Sequence, residues 1–559
     1  MKKLIIVLLT IISAIPTMAQ GKDKDHNFKV AKNLDVFNAI YKQLDMMYVD
    51  TIDADEVVGY AVRAMLGSLD PYTEYYPEDR QSDLKMMMSG KYAGIGAMIR
   101  YNMALNNAVI DEPYEGMPAA EAGLKKGDII VSIGDSLMAG KDVSYVSERL
   151  RGEPGTTLLL KVKRPATGKT LKFKIKRRAI QLPVVTYYGL QENGIGYISL
   201  SSFTGDSPAK EVRRAFLDMK GKGMTKLVLD LRNNGGGVIN EAVDIVNMFV
   251  PKDITIVSTR GKLERANNDY KTSVEPLDTV MPMVVLVNGN SASASEITCG
   301  SLQDLDRAVI MGTRTYGKGL VQLPNLPLPY NGNLKLTTGK YYIPSGRCIQ
   351  AINYGHARGG YREHIPDSLT KVFYTANGRE VRDGGGIKPD VEVKADSLAN
   401  IALYLASSGH DSTEVMLTWE LKFMKNHPTI APAKDFEISD ADYEDFKKAV
   451  IKSGFKYDRE SSKYLETLVK IAKFEGYYDE AKPEFDALEK KFSHNIERDL
   501  DYNKESIKQL LAADLVAVYY YQRGAVENSL RTDKQWKEAV KLLNDEERYK
   551  SILKGKAPL

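Results

Sequence analysis

Residues 284–305 read VVLVNGNSASASEITCGSLQDL. The apolar run Val284 to Val287 predicts a short buried strand, and Glu296 to Leu305 predicts a helix after a Ser- and Gly-rich loop. The same alternation extends outward on both sides. Ile195 to Leu200 is a strand pattern followed by a helical Ala209 to Lys220, and Leu227 to Leu231 is followed by a helical Ile239 to Phe249. Ala308 to Met311 adds another strand. Residues 185–395 therefore predict a mostly parallel α/β sheet, whose chemistry gathers in loops at the carboxyl ends of its strands.

Three such loops are rich in Gly or Ser. The first runs from Asp230 to Gly237, where glycines let backbone N–H groups face outward at a helix start and meet a developing oxyanion; a tight turn with glycine conformations is the plain alternative. The second, Asn288 to Glu296, puts serines at a strand-to-helix junction, where a nucleophilic hydroxyl is exposed near a helix's positive end. Helix capping by Ser293 or Ser295, with Glu296 in the first turn, explains the same residues without chemistry. The third, Thr315 to Gly319, sets Lys318 between two glycines. Read from Gly312 it is near a phosphate-binding loop, but Gly319 replaces the Mg²⁺-holding Ser/Thr, and Pro324, Pro327 and Pro329 forbid the helix that must follow.

A serine here needs a base. The six histidines are His26, His356, His364, His410, His427 and His494, none of them in the loops between 230 and 322. A triad through His356 or His364 stays geometrically open. Lys318 is the better base, since burial can bring a lysine toward neutrality, and Gln322 four residues on can aim its amine.

The rest of the chain is organised around this core. Of 559 residues, 77 are Lys or Arg and 73 Asp or Glu, and 43% are hydrophobic, which suits several globular domains and excludes collagen, wholesale disorder and a polytopic membrane protein. The formal net charge of +4 falls to 75 − 73 = +2 without Lys2 and Lys3, so nucleic acid is not expected as a partner. Residues 1–19 carry two lysines, an apolar run from Leu4 to Ile15 too short to span a bilayer, and small residues before Gln20. They predict a signal peptide cut after Ala19 and an exported protein of the periplasm or cell envelope. Cys299 and Cys348 have no metal-ligand spacing and read as small buried residues, so no metal is expected. Residues 33–80 predict two helices, the first with Leu34, Phe37, Ile40, Leu44 and Met47 on one face, ending at Leu69-Asp70-Pro71-Tyr72. Residues 84–178 predict a β-rich domain interrupted by a helix from Val143 to Leu150. Residues 396–559, rich in Lys, Glu, Asp and Tyr, predict a solvated helical region with no catalytic motif.

Taken in order, these motifs resemble the C-terminal processing peptidases, or tail-specific proteases. The matching features are the signal peptide, the helices ending in Leu69 to Tyr72, Gly94-Ile95-Gly96, Pro118-Ala119-Ala120, Gly123 to Ile130, Asp230 to Gly237, Ser291 to Glu296, Tyr316 to Gly319 with Gln322, and Gly386 to Asp390. The resemblance covers residues 33–395 and leaves 396–559 without a role. It implies a PDZ domain in 84–178 and a crotonase- or Clp-protease-like core in 185–395. It further implies a Ser-Lys dyad without cofactor, whose nucleophile lies 25 residues before the lysine; 318 − 25 = 293 selects Ser293. Gln322 takes the lysine-orienting position. The N–H of Ala294, with that of Gly235 or Gly236, forms the oxyanion hole. Tyr316 stands where many relatives have Phe. The implied function is an exported serine endopeptidase whose loop Gly94-Ile95-Gly96 captures the free C-terminus of a protein or peptide substrate as an added strand. The terminal helical regions are candidates for homo-oligomer formation. A non-catalytic PDZ adaptor or scaffold of the cell envelope is the alternative, and the intact set Ser293, Lys318 and Gln322 stands against it.

Overall fold

The computed structural model describes residues 19–90, 92–165, 167–351, 367–395, 398–407, 413–491 and 495–555. The chain forms two units, Met1–Tyr75 and Tyr76–Leu559. The first holds α1 (Ala19–Met47) and α2 (Ala54–Gly67). α1 is longer than its apolar periodicity predicts, and the stripe of Leu34, Phe37, Ile40 and Leu44 is exposed. α2 starts on Asp53, whose side chain accepts from the Glu56 N–H, and the chain turns where the Asp70 carboxylate accepts from the N–H groups of Tyr72 and Thr73.

In the second unit the β-rich part is an antiparallel sheet in the order β1 (Ala97–Asn102), β2 (Asn107–Pro113), β3 (Ile129–Ile133), β4 (Thr157–Lys163), β5 (Thr170–Lys176), with α3 (Val143–Leu150) beside it. β1 is the edge strand of that sheet.

The α/β part has a six-stranded sheet. Its members are β6 (Val185–Leu190), β7 (Ile195–Leu200), β8 (Lys226–Asp230), and, after α4 (Pro208–Gly221), α5 (Ile239–Asn247) and the strands β9 (Thr255–Gly261) and β10 (Asn268–Lys271) of a second sheet, β11 (Met283–Val287). α6 (Ala294–Asp304) then leads to β12 (Val309–Gly312), and the second sheet gains β13 (Leu320–Pro327) and β14 (Asn333–Tyr342) before β15 (Val391–Glu392) closes the first. The order β6-β7-β8-β11-β12-β15 is parallel apart from the antiparallel β6, in line with the predicted sheet. The second, antiparallel sheet was not foreseen.

Alternate side chains of β11 serve two different cores. Val285 and Val287 pack with α4, α5 and α6, whereas Val284 and Leu286 pack against Leu530, Trp536, Leu542, Leu543 and Tyr549. The latter residues belong to the segment before and within α14 (Lys534–Asn544) and α15 (Glu546–Lys554), after the helices α7 (Asn400–Ala406), α8 (Val415–Asn426), α9 (Asp440–Ser453), α10 (Glu460–Glu475), α11 (Lys482–Lys491), α12 (Ile496–Tyr502) and α13 (Lys504–Ser529). The expectation of a merely solvated tail is therefore corrected. Its last helices form the second cover of the sheet, and Tyr549 Oη exchanges hydrogen bonds with the backbone of Met283 at 2.9 and 3.0 Å. The preceding helices enclose a separate core around Trp419, Phe423, Tyr443 and Phe446.

That helical core also grips the β-rich part. Lys126 Nζ lies 3.0 Å from Glu420 Oε2 and 2.6 Å from Asp514 Oδ2, with Lys126 and Glu420 buried. Arg100 pairs with Glu414 at 2.7 Å, and Gln522 donates to Glu112 at 2.7 Å. Burial alone pulls Lys126 below its ordinary pKa, but the two carboxyls outweigh it and hold the ammonium. Burial pushes Glu420 well up despite Lys126, whereas at Asp514 the Lys126 charge outweighs burial and holds the carboxyl below its ordinary value.

Candidate active site

The chain turns from β11 into α6 through Asn288 to Ser293. Ser293 adopts φ 56° and ψ −114°, a backbone conformation that costs a side-chain-bearing residue energy and that marks serine nucleophiles at strand-to-helix elbows. The three serines differ in what their hydroxyls do. Ser291 Oγ donates to Leu231 O at 2.8 Å and accepts from the Asn288 N–H. Ser295 Oγ donates to Asn234 O at 2.8 Å. Both are fully buried, whereas Ser293 is half-buried at the surface of the junction.

Glu296 links this elbow to the lysine loop. Its Oε2 accepts from the backbone N–H groups of Ser293 and Lys318, each at 2.9 Å. Its Oε1 accepts from the Gly317 N–H at 2.7 Å and the Thr315 hydroxyl at 2.5 Å. One carboxylate thus holds nucleophile loop and base loop together. The sequence offered Glu296 only as a cap in the first turn, and the bond to the Ser293 N–H is indeed one half of a capping box. Its other partners lie about twenty residues on, beyond the reach of any local motif. Burial pushes Glu296 up to about 7, the four hydrogen bonds offsetting only part of that cost.

A carboxyl raised from 4.5 to about 7 by folding adds stability that is complete below 4.5 and lost as pH climbs through 7. Glu296→Gln removes that titration, so thermal unfolding from pH 4.5 to 7.5 should show wild type falling by about 3 kcal/mol relative to the variant. Parallel curves would mean that Glu296 does not titrate there. Cleavage should drop in the variant at every pH, because an amide NH₂ replaces one acceptor oxygen and confronts N–H donors.

The lysine loop is packed on its other side by Gln350 and Ala351. The Ala351 N–H donates to Gly317 O at 3.0 Å, and Gln350 Oε1 accepts from the Gly319 N–H at 2.7 Å. Gly317, at φ 86°, has no room for a Cβ, which would lie 2.3 Å from that of Ala351. Lys318 is half-buried. Gln322 sits opposite Thr337 in the β13–β14 ladder, and its Nε2 donates to Thr337 Oγ1 at 3.2 Å.

The Asp230 to Gly237 loop reaches the same place. A Cβ on Gly236 would lie 2.6 Å from Ala292 O and 2.8 Å from Ser293 Cβ, so glycine is what allows this loop to touch the elbow. The Gly236 N–H, however, donates to Asn234 Oδ1 at 2.9 Å. Gly235 has open space before it and, among the described residues, no acceptor for its N–H. Ala294 offers the first N–H of α6, which no turn of the helix can satisfy. Asn234 also accepts from Ala292 and Ser295 and donates to Leu200 O, a hub that the sequence did not single out. Arg232 holds the loop's start from outside, bonding Asp230, Asp533 at 2.6 Å and Gln535 at 2.9 Å.

The loop Gly94-Ile95-Gly96 leads into β1. Its carbonyls are used, Ile95 O by the Ala119 N–H and Gly96 O by the Tyr114 N–H, while the N–H groups of Ile95 and Gly96 have no acceptor among the described residues. The loop is buried here, with the end of α3 against Gly94 and Met117 against Gly96. His356 and His364 lie outside the described residues; among these, His427 stacks on Phe423 in the helical core, and no group of side chains could hold a metal ion.

Residues 194–355 match the family description "Peptidase family S41", residues 109–164 "PDZ domain", and residues 404–543 "Probable PDZ-protease, C-terminal helical domain". The carboxy-terminal-processing protease of Bartonella bacilliformis is 36% identical over 344 residues, 61% of this chain and 78% of its own length. This chain belongs to the carboxy-terminal processing protease family. The carboxy-terminal processing protease CtpB of Bacillus subtilis is 32% identical over 60% of this chain and 68% of its own, and a "Probable CtpA-like serine protease" of Staphylococcus aureus is 32% identical over 62% and 69%. Among solved structures, the photosystem II D1 C-terminal processing protease aligns at 26% identity over 64% of this chain and 86% of its own, with a TM-score of 0.35. The protease is a serine peptidase with a PDZ domain, and its C-terminal helices, left without a role by the motifs, are a recognised part of such proteases.

Proposed function

We propose that the protease cleaves peptide bonds with Ser293 as nucleophile and Lys318 as general base, on substrates whose free C-terminus is held by the PDZ domain. The observation that carries this reading is the Glu296 carboxylate, which binds the N–H groups of both residues and keeps a strained Ser293 facing the lysine loop. In the reaction Ser293 Oγ attacks the scissile carbonyl as Lys318 Nζ takes its proton, and the oxyanion accepts from the N–H groups of Ala294 and Gly235. Lys318 then gives the proton to the leaving amine, and water hydrolyses the acyl-enzyme by the same path in reverse. A fluorophosphonate probe should label Ser293 in peptide mapping; label on another serine, or none, would sink the assignment.

The N–H groups of Ile95 and Gly96 and the unpaired edge of β1 support tail capture: a peptide strand adds to β1 and its carboxylate meets the loop. Amidating the C-terminus of a reporter substrate should then lower kcat/KM about tenfold, the worth of one charge-assisted hydrogen-bond pair, chiefly through KM. Equal rates on free and amidated tails would take the PDZ domain out of substrate selection.

We further infer export, from the signal-like residues 1–19, and self-association, from the exposed stripe of α1. A mature N-terminus at Gln20 and a dimeric or larger mass by light scattering are the corresponding measurements. An intact Met1 in cells, or a monomer, contradicts them.

A further inference from the structure

Tyr341 lies near the end of β14 with 1% of its surface exposed, in the core that also contains Ile297, Ile343 and Ile349. Packing alone would be served by phenylalanine, because a buried hydroxyl costs free energy unless it is hydrogen-bonded. The partners of this hydroxyl are informative. Tyr341 Oη donates to the backbone carbonyl of Lys318 and lies 3.2 Å from that of Ser293. The Ser293 carbonyl already accepts from the N–H groups of Glu296 and Ile297, at 2.8 and 2.9 Å, so the phenolic proton belongs to Lys318 O. The backbone anchors the ring in the same place, the Tyr341 N–H donating to Gly319 O at 3.0 Å.

We propose that Tyr341 is a positioning residue for the peptidase reaction, fixing the backbone of Lys318 against that of Ser293. The inference rests on the Ser293–Lys318 reading. Glu296 holds the N–H edges of the two residues, and Tyr341 bonds the carbonyl of Lys318 from a position 3.2 Å from that of Ser293. A link on one edge alone leaves the two peptide planes free to swing about it. Glu296 at its N–H edge and Tyr341 at its carbonyl edge fix the tilt of the Lys318 backbone, and so fix where Lys318 Nζ can reach relative to Ser293 Oγ. Proton transfer between such groups is sensitive to that distance, and a misplacement of about 1 Å costs about a hundredfold.

The test is Tyr341→Phe in the full-length protease, alongside Ser293→Ala and Lys318→Ala. Acylation by a fluorophosphonate probe should slow about tenfold or more, while KM for a reporter with a free apolar tail stays within about twofold. Loss of packing alone would lower the unfolding temperature without slowing acylation of the folded enzyme. Replacing Tyr341 by 4-aminophenylalanine, whose amine still donates, should restore most of the rate. If the phenylalanine variant does not fold, 4-methylphenylalanine fills the hydroxyl's space without a proton and should show the same slow acylation. Wild-type acylation in either donor-free variant, with Ser293→Ala and Lys318→Ala inactive, would overturn the role of Tyr341 and leave the dyad standing. Wild-type acylation in Lys318→Ala would overturn the dyad, and the proposal with it.

Discussion

Ser293→Ala should lose peptide-bond cleavage by a factor on the order of 10⁴ or more in kcat, with folding and tail binding unchanged. No neighbour can replace the lost hydroxyl. Ser291 and Ser295 are buried, and their hydroxyls are occupied by Leu231 O and Asn234 O. Lys318→Ala should lose about as much, since the members of one catalytic unit do not contribute additively. Lys318→Arg should be equally inactive although it keeps the charge, because a guanidinium stays protonated and cannot act as a base. Replacing His356 and His364 together should leave wild-type activity and its pH dependence in place. The measurement is steady-state cleavage of a reporter with a free apolar tail. A dead double-histidine variant beside an active Lys318→Ala would replace the dyad by a histidine-based triad.

Trp536→Ala should destabilise the protease core by about 3–5 kcal/mol, the cost of removing a large buried ring. The ring packs edge-on to Tyr197, centroids 5.3 Å apart, over the face of the sheet that α4, α5 and α6 leave open. Tyr197 in turn donates to Asp230 Oδ2 at 2.6 Å, at the root of the loop that carries Gly235. Ending the chain before Leu530 should go further. It strips the sheet of one cover and removes Asp533 and Gln535 from Arg232, so the fragment should not refold. Denaturant unfolding of the point variant and circular dichroism of the fragment report these effects. A fragment that melts cooperatively at the wild-type temperature would show that the cover is dispensable.

Much of the core was legible because its signals are local. The helix Val143–Leu150 and the strand Ile195–Leu200 have the bounds their periodicity predicts. The sheet of β9, β10, β13 and β14 was not legible. Its strands mix polar and apolar residues, as in Leu334-Lys335-Leu336-Thr337-Thr338, and β13 carries Pro324 and Pro327, which deny strand character to a propensity reading. The cover by α14 and α15 was half-legible. A strand as uniformly apolar as Val284 to Val287 demands burial on both faces, yet the helices nearest in sequence cover one, and the other cover lies some 250 residues away. At the site, residue types and loop positions gave Lys318, the glycines and a group of three serines, and the family resemblance picked Ser293 from them. Glu296, Asn234 and Tyr341 act through backbone groups of distant loops, and a side chain's backbone partners leave no spacing rule to read; Arg232 pairs with side chains some 300 residues on.

The Lys126 contact bears on how this chain can be taken apart and recombined. Protein engineers treat a PDZ domain as a portable cartridge, cut out at its termini and replaced by another of different taste. Here the cartridge carries its own key. A substitute domain without a lysine at position 126 would seat Glu420 and Asp514 against each other with no cation between them. The PDZ domain and the helical region are therefore a matched pair: a new PDZ domain fits this protease only with matching helices beneath it.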